Sequence, residues 1–348
     1  MIKQLLIANI IVLSSVLMTQ RANAQDPVFS QFYNSPVYLN PAMIGDEEDL
    51  TLNLSYRSQW KNVQSEYATT QASFIFPFYN TIHKYPFSHN GGMGISLYND
   101  VAGVNKSFKN QGANLSFAYN LQLTTSHVNR ISFGLQIGVI NKRTDPSVFE
   151  WGSQYDPNLG YNPDAPGATE LDFENKTFLD ITPGVFYRFY NRKYTATVQS
   201  IYSGLSVGHV NHPEQSIIEG YKEALPLLYK YHGGIVFGLS RQASVSMNVL
   251  TLLQDTKNQT NMGAFLSYRV SESLDNGLFS NVIGRVGGWY RVKDSFILST
   301  ELLTNNFSFG FSYDWNMTSL NRFESGVGAY EFSMKYKLSR HAPPKVNY

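Results

Sequence analysis

The chain has no cysteine in its 348 residues. That excludes a disulfide-stapled scaffold, thiolate zinc sites, a cysteine nucleophile and a lipid-modified N-terminal cysteine. Charge is scarce too. Asp, Glu, Lys and Arg make up 15% of the chain, against roughly 25% in an ordinary soluble domain. The 27 basic and 26 acidic residues nearly cancel and form no basic block, so no nucleic-acid partner is expected. Beyond Met18 no run approaches the roughly 18 consecutive apolar residues of a membrane-spanning helix. What is abundant is aromatic: 23 Tyr and 23 Phe. Many apolar residues under a negative mean hydropathy point to alternation of polar and apolar positions rather than to apolar helices.

The N-terminus reads as an export signal. Lys3 supplies a positive start, and Leu5 to Met18 an apolar stretch too short to span a bilayer. Ala22-Asn23-Ala24 follows as a small-x-small cleavage site, with the cut expected between Ala24 and Gln25. The expected organisation is a signal peptide over 1–24, an N-terminal arm or plug segment over 25–49, a barrel over 50–338 and a C-terminal tail over 339–348. If the exported chain is integral to a membrane, it must be a barrel.

Period two runs through the rest. Over 305–315, Phe307, Phe309, Phe311, Tyr313 and Trp315 share one face, while Ser308, Gly310, Ser312 and Asp314 share the other. Over 113–123, Leu115, Phe117, Tyr119, Leu121 and Leu123 alternate with Asn114, Ser116, Ala118, Asn120 and Gln122. The stretches 131–140 and 328–338 behave alike. This is the strand signal, and no helical stripe competes with it. A soluble β-sandwich alternates as well. Long apolar faces with aromatic ends suit a lipid-facing band with interfacial girdles, and faces rich in Ser, Asn, Gln and Gly suit a polar lumen. The isolated charges Arg57, Arg188, Arg269, Arg285 and Arg291 are expected to pair inside with Glu301, Asp314 or Glu331.

The fold class read from this is all-β, a transmembrane antiparallel β-barrel of about 14 strands with a non-strand N-terminal segment. The strands are expected near 50–60, 66–78, 91–100, 107–123, 129–142, 178–191, 193–210, 229–240, 241–254, 258–271, 279–292, 294–303, 304–315 and 326–338. The three longest links (143–177, 211–228 and 316–325) are the fifth, seventh and thirteenth. All face outward if the chain starts in the periplasm, as long loops should. Two inward links, 79–90 and 272–278, are longer than ideal. Pro27, Pro36 and Pro41 bar a central strand or a regular helix from residues 25–49. The acidic run Asp46-Glu47-Glu48-Asp49 reads as a solvated turn, because it lacks the spacing of a calcium loop.

No catalytic or cofactor constellation emerges. Gly204-Leu205-Ser206-Val207-Gly208 matches the GxSxG nucleophile elbow, but it continues a strand with no helix behind it. His209 and His212 lack a third metal ligand. Gly91-Gly92-Met93-Gly94 has neither the spacing nor the helix of a phosphate loop. No enzyme, cofactor or metal is expected.

Particular words carry a resemblance. Gln25-Asp26-Pro27-Val28-Phe29-Ser30-Gln31-Phe32, then Pro36, Asn40-Pro41-Ala42 and Gly45, resemble the N-terminal signature of the PorP/SprF family, type IX secretion proteins of Bacteroidetes-type outer membranes. The likeness continues through Arg57, Gln59 and Trp60, through Asn99, Asp100 and Gly103, and through Gly204-Leu205-Ser206 with His209. It ends with Tyr313-Asp314 and Glu331. Met43-Ile44 and Gly328-Ala329-Tyr330-Glu331 depart from the family pattern. The resemblance implies a non-enzymatic outer-membrane barrel that assists secretion or surface retention of cargo bearing a type IX C-terminal signal, such as gliding adhesins. The implied partners are that cargo, other type IX components and the lipid bilayer. The alternative is a transport channel for small apolar or nutrient solutes. Trp151, Tyr155, Tyr161 and Tyr221, in the long outward links, are candidate cargo contacts, since rigid aromatic anchors lose little entropy on docking.

Overall fold

Alternating side chains can satisfy lipid on one face and polar neighbours on the other only if the sheet closes. The computed structural model describes residues 28–60, 66–79, 89–124, 129–156, 158–165, 172–191, 197–271, 281–317 and 327–338. The expected signal peptide with Ala24 and Gln25, the motif residues Asp26 and Pro27, and the tail 339–348 lie outside the described residues. Fourteen antiparallel strands form a closed barrel. They are β1 (Leu50–Gln59), β2 (Tyr67–Tyr79), β3 (His89–Ala102), β4 (Phe108–Gln122), β5 (Asn129–Thr144), β6 (Lys176–Tyr190) and β7 (Val198–Gly208). Then come β8 (Leu228–Gly238), β9 (Ala243–Gln254), β10 (Lys257–Arg269), β11 (Ile283–Arg291), β12 (Ser295–Leu303), β13 (Phe307–Asn316) and β14 (Val327–Leu338). Each strand pairs with its sequence neighbours, and β1 closes on β14 with Arg57 opposite Glu331.

All fourteen expected strands are present. β7 starts five residues later than expected, so the sixth link is longer than its sequence suggested. The register also holds. On β4, Leu115, Phe117, Tyr119 and Leu121 are exposed to the outside of the wall, while Asn114, Ser116, Ala118 and Asn120 are buried. On β13, Phe309, Phe311 and Trp315 point out, and Ser312, Asp314 and Asn316 point in. Among the described residues no helix is long and apolar enough to cross a membrane.

The odd-numbered links share one end of the barrel. Short turns belong in the periplasm and long loops outside, so this end is the outer one. The link 145–175 holds two short helical turns, Pro146–Val148 and Gly152–Gln154, and a two-residue ladder of Tyr155–Asp156 on Gly160–Tyr161. It is tied to the link 209–227 by a bridge of Phe173 to Ile218 and by Glu174 N–H donating to the Ile217 carbonyl at 2.8 Å.

The facing of β13 is open to test. Phe311→Lys sets a charge against the bilayer core and should cost about 2–4 kcal/mol at the midplane, whereas Ser308→Lys on the lumenal face should cost far less. Heat-dependent gel mobility of the two assembled variants reads the difference, and equal assembly would refute this register.

Candidate functional site in the lumen and at the outer face

A lumen lined by Ser, Asn, Gln and Gly leaves polar groups needing partners and a volume needing atoms. Residues 28–49 supply both. Three prolines and short side chains forbid long regular structure, and the segment folds as three brief turns: Phe32–Asn34, Pro36–Leu39 and Pro41–Asp46. Asn40 starts the last turn, its side-chain oxygen accepting from Ala42 N–H at 2.9 Å. The segment begins at the outer mouth and descends to the periplasmic end, where β1 starts.

Its outer end is held by charge. Ser30 N–H and Gln31 N–H donate to the Glu331 carboxylate at 2.7 and 3.1 Å. Ser30 Oγ donates to Asp314 at 2.7 Å. Arg57 reaches Asp314 at 2.9 Å and Glu331 at 3.5 Å, and Arg291 reaches Asp314 at 3.3 Å and Ser30 Oγ at 2.8 Å. Arg57, Asp314 and Glu331 are almost fully buried. Two guanidiniums against two carboxylates, each hydrogen-bonded, meet the condition under which buried charge is tolerable. Removing one partner of such a set typically costs about 3–5 kcal/mol.

The middle is held by packing. Phe32 and Leu39 join Leu250, Phe265, Trp289 and Ile297 in an apolar cluster, with Tyr33 stacked on Trp289 at 5.3 Å. Val37 and Ile44 form a second cluster with Ile75 and Ala118. Asn40 donates to the Val185 carbonyl at 3.0 Å and pairs with Nε2 of the buried His232 at 3.2 Å. Glycines let the segment press on the wall. A Cβ on Gly134 would collide with Pro41 and Ala42, one on Gly184 with Asn40, and one on Gly94 with Ile44.

The inner end corrects an expectation. Asp46 and Glu47 are not a solvated turn. Asp46 accepts from Arg130 at 2.6 Å and from Arg188, while Glu47 meets Lys335 at 2.6 Å and Lys337 at 3.4 Å. The sequence showed the acids without the basic residues of β5, β6 and β14 that face them. Arg188, expected to pair with a wall carboxylate, pairs with Asp46 for the same reason. Arg285 pairs with Glu301 at 3.3 Å as expected, and Asn34 also donates to Glu301, at 2.7 Å.

The motif residues therefore divide. Phe29, Ser30, Gln31, Asn40, Pro41, Gly45, Arg57, Asp314 and Glu331 meet where the segment touches the wall, and Asn120 donates to the Gly45 carbonyl at 2.8 Å. Gln59 ends β1 opposite Ala329, and Trp60 follows it with a positive φ of 58° and its N–H bonded to the Gly328 carbonyl. Asn99 and Asp100 stay on the outer part of β3, where Gln111 donates to Asn99 at 2.8 Å, and Gly103 turns the chain at φ 81°. Tyr313 faces outward against Trp315. The GxSxG serine is committed elsewhere, since Ser206 Oγ donates to the Leu39 carbonyl at 2.9 Å. His209 Nδ1 lies 2.7 Å from Asp180, and among the described residues no group of His, Asp and Glu could hold a metal ion. Outside, Trp151 packs on Phe149 and Phe173, while Tyr155, Tyr161 and Tyr221 are exposed.

Sequence reasoning missed the inward aromatics and His232. Their signal was present: Phe265 sits between Gly263 and Ser267, and Trp289 between Gly287 and Arg291, on polar faces where a large ring needs a lumenal partner.

Burial alone would raise the Asp46 carboxyl, but Arg188 and Arg130 outweigh it and hold it below the usual range. Lys335 and Lys337 do the same, against burial, for Glu47. A carboxylate depressed in the folded state stabilises fully above its unfolded value, near about 4, and that contribution is lost as pH falls through the folded value. Protease protection of residues 28–49 should stay flat from about pH 8 to 5 and drop only below about pH 4. Loss near neutrality would contradict the anchor.

Comparison with known proteins fits this architecture. Among solved structures, the chain is similar to the Pseudomonas putida toluene transporter TodX, at 8% identity over 87% of this chain and 93% of that one, with a TM-score of 0.44. It is similar to a Pseudomonas aeruginosa FadL homologue at 10% identity over 88% and 94%, with a TM-score of 0.43. No curated protein matches it. The description "Type IX secretion system membrane protein PorP/SprF" matches residues 21–336, nearly the whole chain. The chain belongs to that family, as an outer-membrane barrel of the type IX secretion system that works with its other components.

Proposed function

We propose that this barrel is a non-enzymatic scaffold that assists secretion or surface retention of cargo proteins carrying a type IX C-terminal signal, of the adhesin and gliding kind. It reaches the outer membrane behind a signal peptide cut between Ala24 and Gln25. The observation that carries the reading is the occupied lumen. A segment bonded at both ends and packed between opposite walls suits a rigid support better than a conduit. The outer loops add surface: the links 145–175 and 209–227 are joined to each other, and their hairpin presents Tyr155, Leu159 and Tyr161 to solvent. The second reading, a channel for small apolar solutes, draws on an apolar cavity of about 50 Å³ at the outer mouth, lined by Phe29, Leu39, Leu228, Leu250 and Leu252.

Replacing 155–161 by a short Gly-Ser link should leave barrel assembly intact, because no barrel strand is touched, and should lower the cargo displayed on the cell. Surface labelling of secreted proteins at matched barrel abundance measures this. Unchanged display, or solute-dependent conductance of the purified barrel, would favour the second reading.

A further inference from the structure

The periplasmic mouth already shows what it binds. Asp46 and Glu47, consecutive acids on a short peptide, are gripped there by Arg130, Arg188, Lys335 and Lys337. Those cations come from β5, β6 and β14. Across the mouth, on the β8–β11 side, a second basic arc carries no acidic peptide among the described residues. Arg241, Arg269 and Arg285 line a cavity of about 330 Å³ there, and no acidic side chain lines it. Arg241 stands exposed in the tight turn between β8 and β9. Arg285 spends one terminal nitrogen on Glu301, and its buried Nε has no hydrogen-bond partner among the described residues. Gln242, Ser244 and Ser267 add neutral hydrogen-bonding groups to the lining.

We propose that this arginine arc is a docking pocket for an acidic peptide segment of a periplasmic partner protein, bound as Asp46-Glu47 is bound across the mouth. The guanidinium fork matches carboxylates two bonds at a time, which a compact anion cannot exploit along a chain. The pocket opens at the lumenal rim, with Arg285 and Ser267 on inward-facing positions of β11 and β10, so lipid headgroups around the outside of the wall are poorly placed to fill it. It sits at the opposite end from the loops credited with cargo and does not depend on that reading. The rival occupant is the chain's own tenth link, whose Glu272 and Asp275 lie outside the described residues.

The test uses the full-length barrel in detergent and a fluorescein-labelled peptide of four consecutive acidic residues, read by anisotropy at low salt. Arg241→Gln with Arg269→Gln should weaken binding at least about tenfold. Lysines at both positions should restore part of it, and Lys257→Gln at the outer mouth should change nothing. Arg241→Gln alone, in an exposed turn, should weaken binding several-fold and covers the case in which the double variant does not assemble. Undiminished binding by the glutamine variants overturns the proposal. So does displacement by inorganic phosphate at the peptide's own concentration, which would mark a plain anion site. A tenfold gain in Glu272→Gln with Asp275→Asn would assign the pocket to the chain's own link and equally overturn it.

Discussion

The constraint on which this structure depends is the need to fill a polar tube. A fourteen-strand wall satisfies its own backbone by closing, but closing creates a lumen wide enough to leave inward side chains without partners. The segment 28–49 resolves this from within. It meets β1 and β2 through Ser35 with Ser55 and Gln71, β7 through Ser206, β8 through His232, β11 through Trp289, and β13 and β14 through Asp314 and Glu331. The remaining walls meet it through Ile44, Gly45, Asp46, Asn34 and the Phe32 cluster. The segment serves the barrel as a hydrophobic core serves a soluble domain. It differs in that much of its attachment is ionic and hydrogen-bonded, because the wall it must satisfy is polar.

That difference shapes the energetics. Buried charge is costly unless balanced, and the network around Ser30 is balanced in both sign and hydrogen bonding. It also joins the seam: Arg57 of β1 and Glu331 of β14 are cross-strand partners at the closure and hold the segment together. A barrel closed and filled in this way has little lumen to offer a solute. Its useful surfaces are its two ends, an aromatic outer face on joined loops and a basic inner rim.

Much of the fold was legible in the sequence, since alternation with period two depends only on which face meets lipid. Phe307 to Trp315 announced their strand, and the parity of the long links announced its direction. The site was legible only in part. The words around Ser30, Asn40 and Gly45 marked the segment as special, and the prolines excluded regular structure. Nothing local could tell an arm from a plug. Asp46 and Glu47 looked solvated because their partners lie at positions 130, 188, 335 and 337, and such pairing exists only after closure. Trp289 and Phe265 broke the polar face for a reason visible only once Phe32 and Tyr33 stand opposite them.

The central claim is that residues 28–49 are packed inside the lumen against the wall, and one bond tests it most directly. Ser35 Oγ on the segment lies 3.1 Å from Ser55 Oγ on β1, close enough for the Cβ separation of about 3.8 Å that a disulfide requires. With no native cysteine in the chain, Ser35→Cys with Ser55→Cys gives an assay free of background. The account predicts that mild oxidation of the folded barrel joins the pair, so that after denaturation neither thiol reacts with maleimide until a reductant is added. Two thiols that stay free and label fully in the oxidised, heat-modifiable barrel would place the segment outside the lumen and contradict the account.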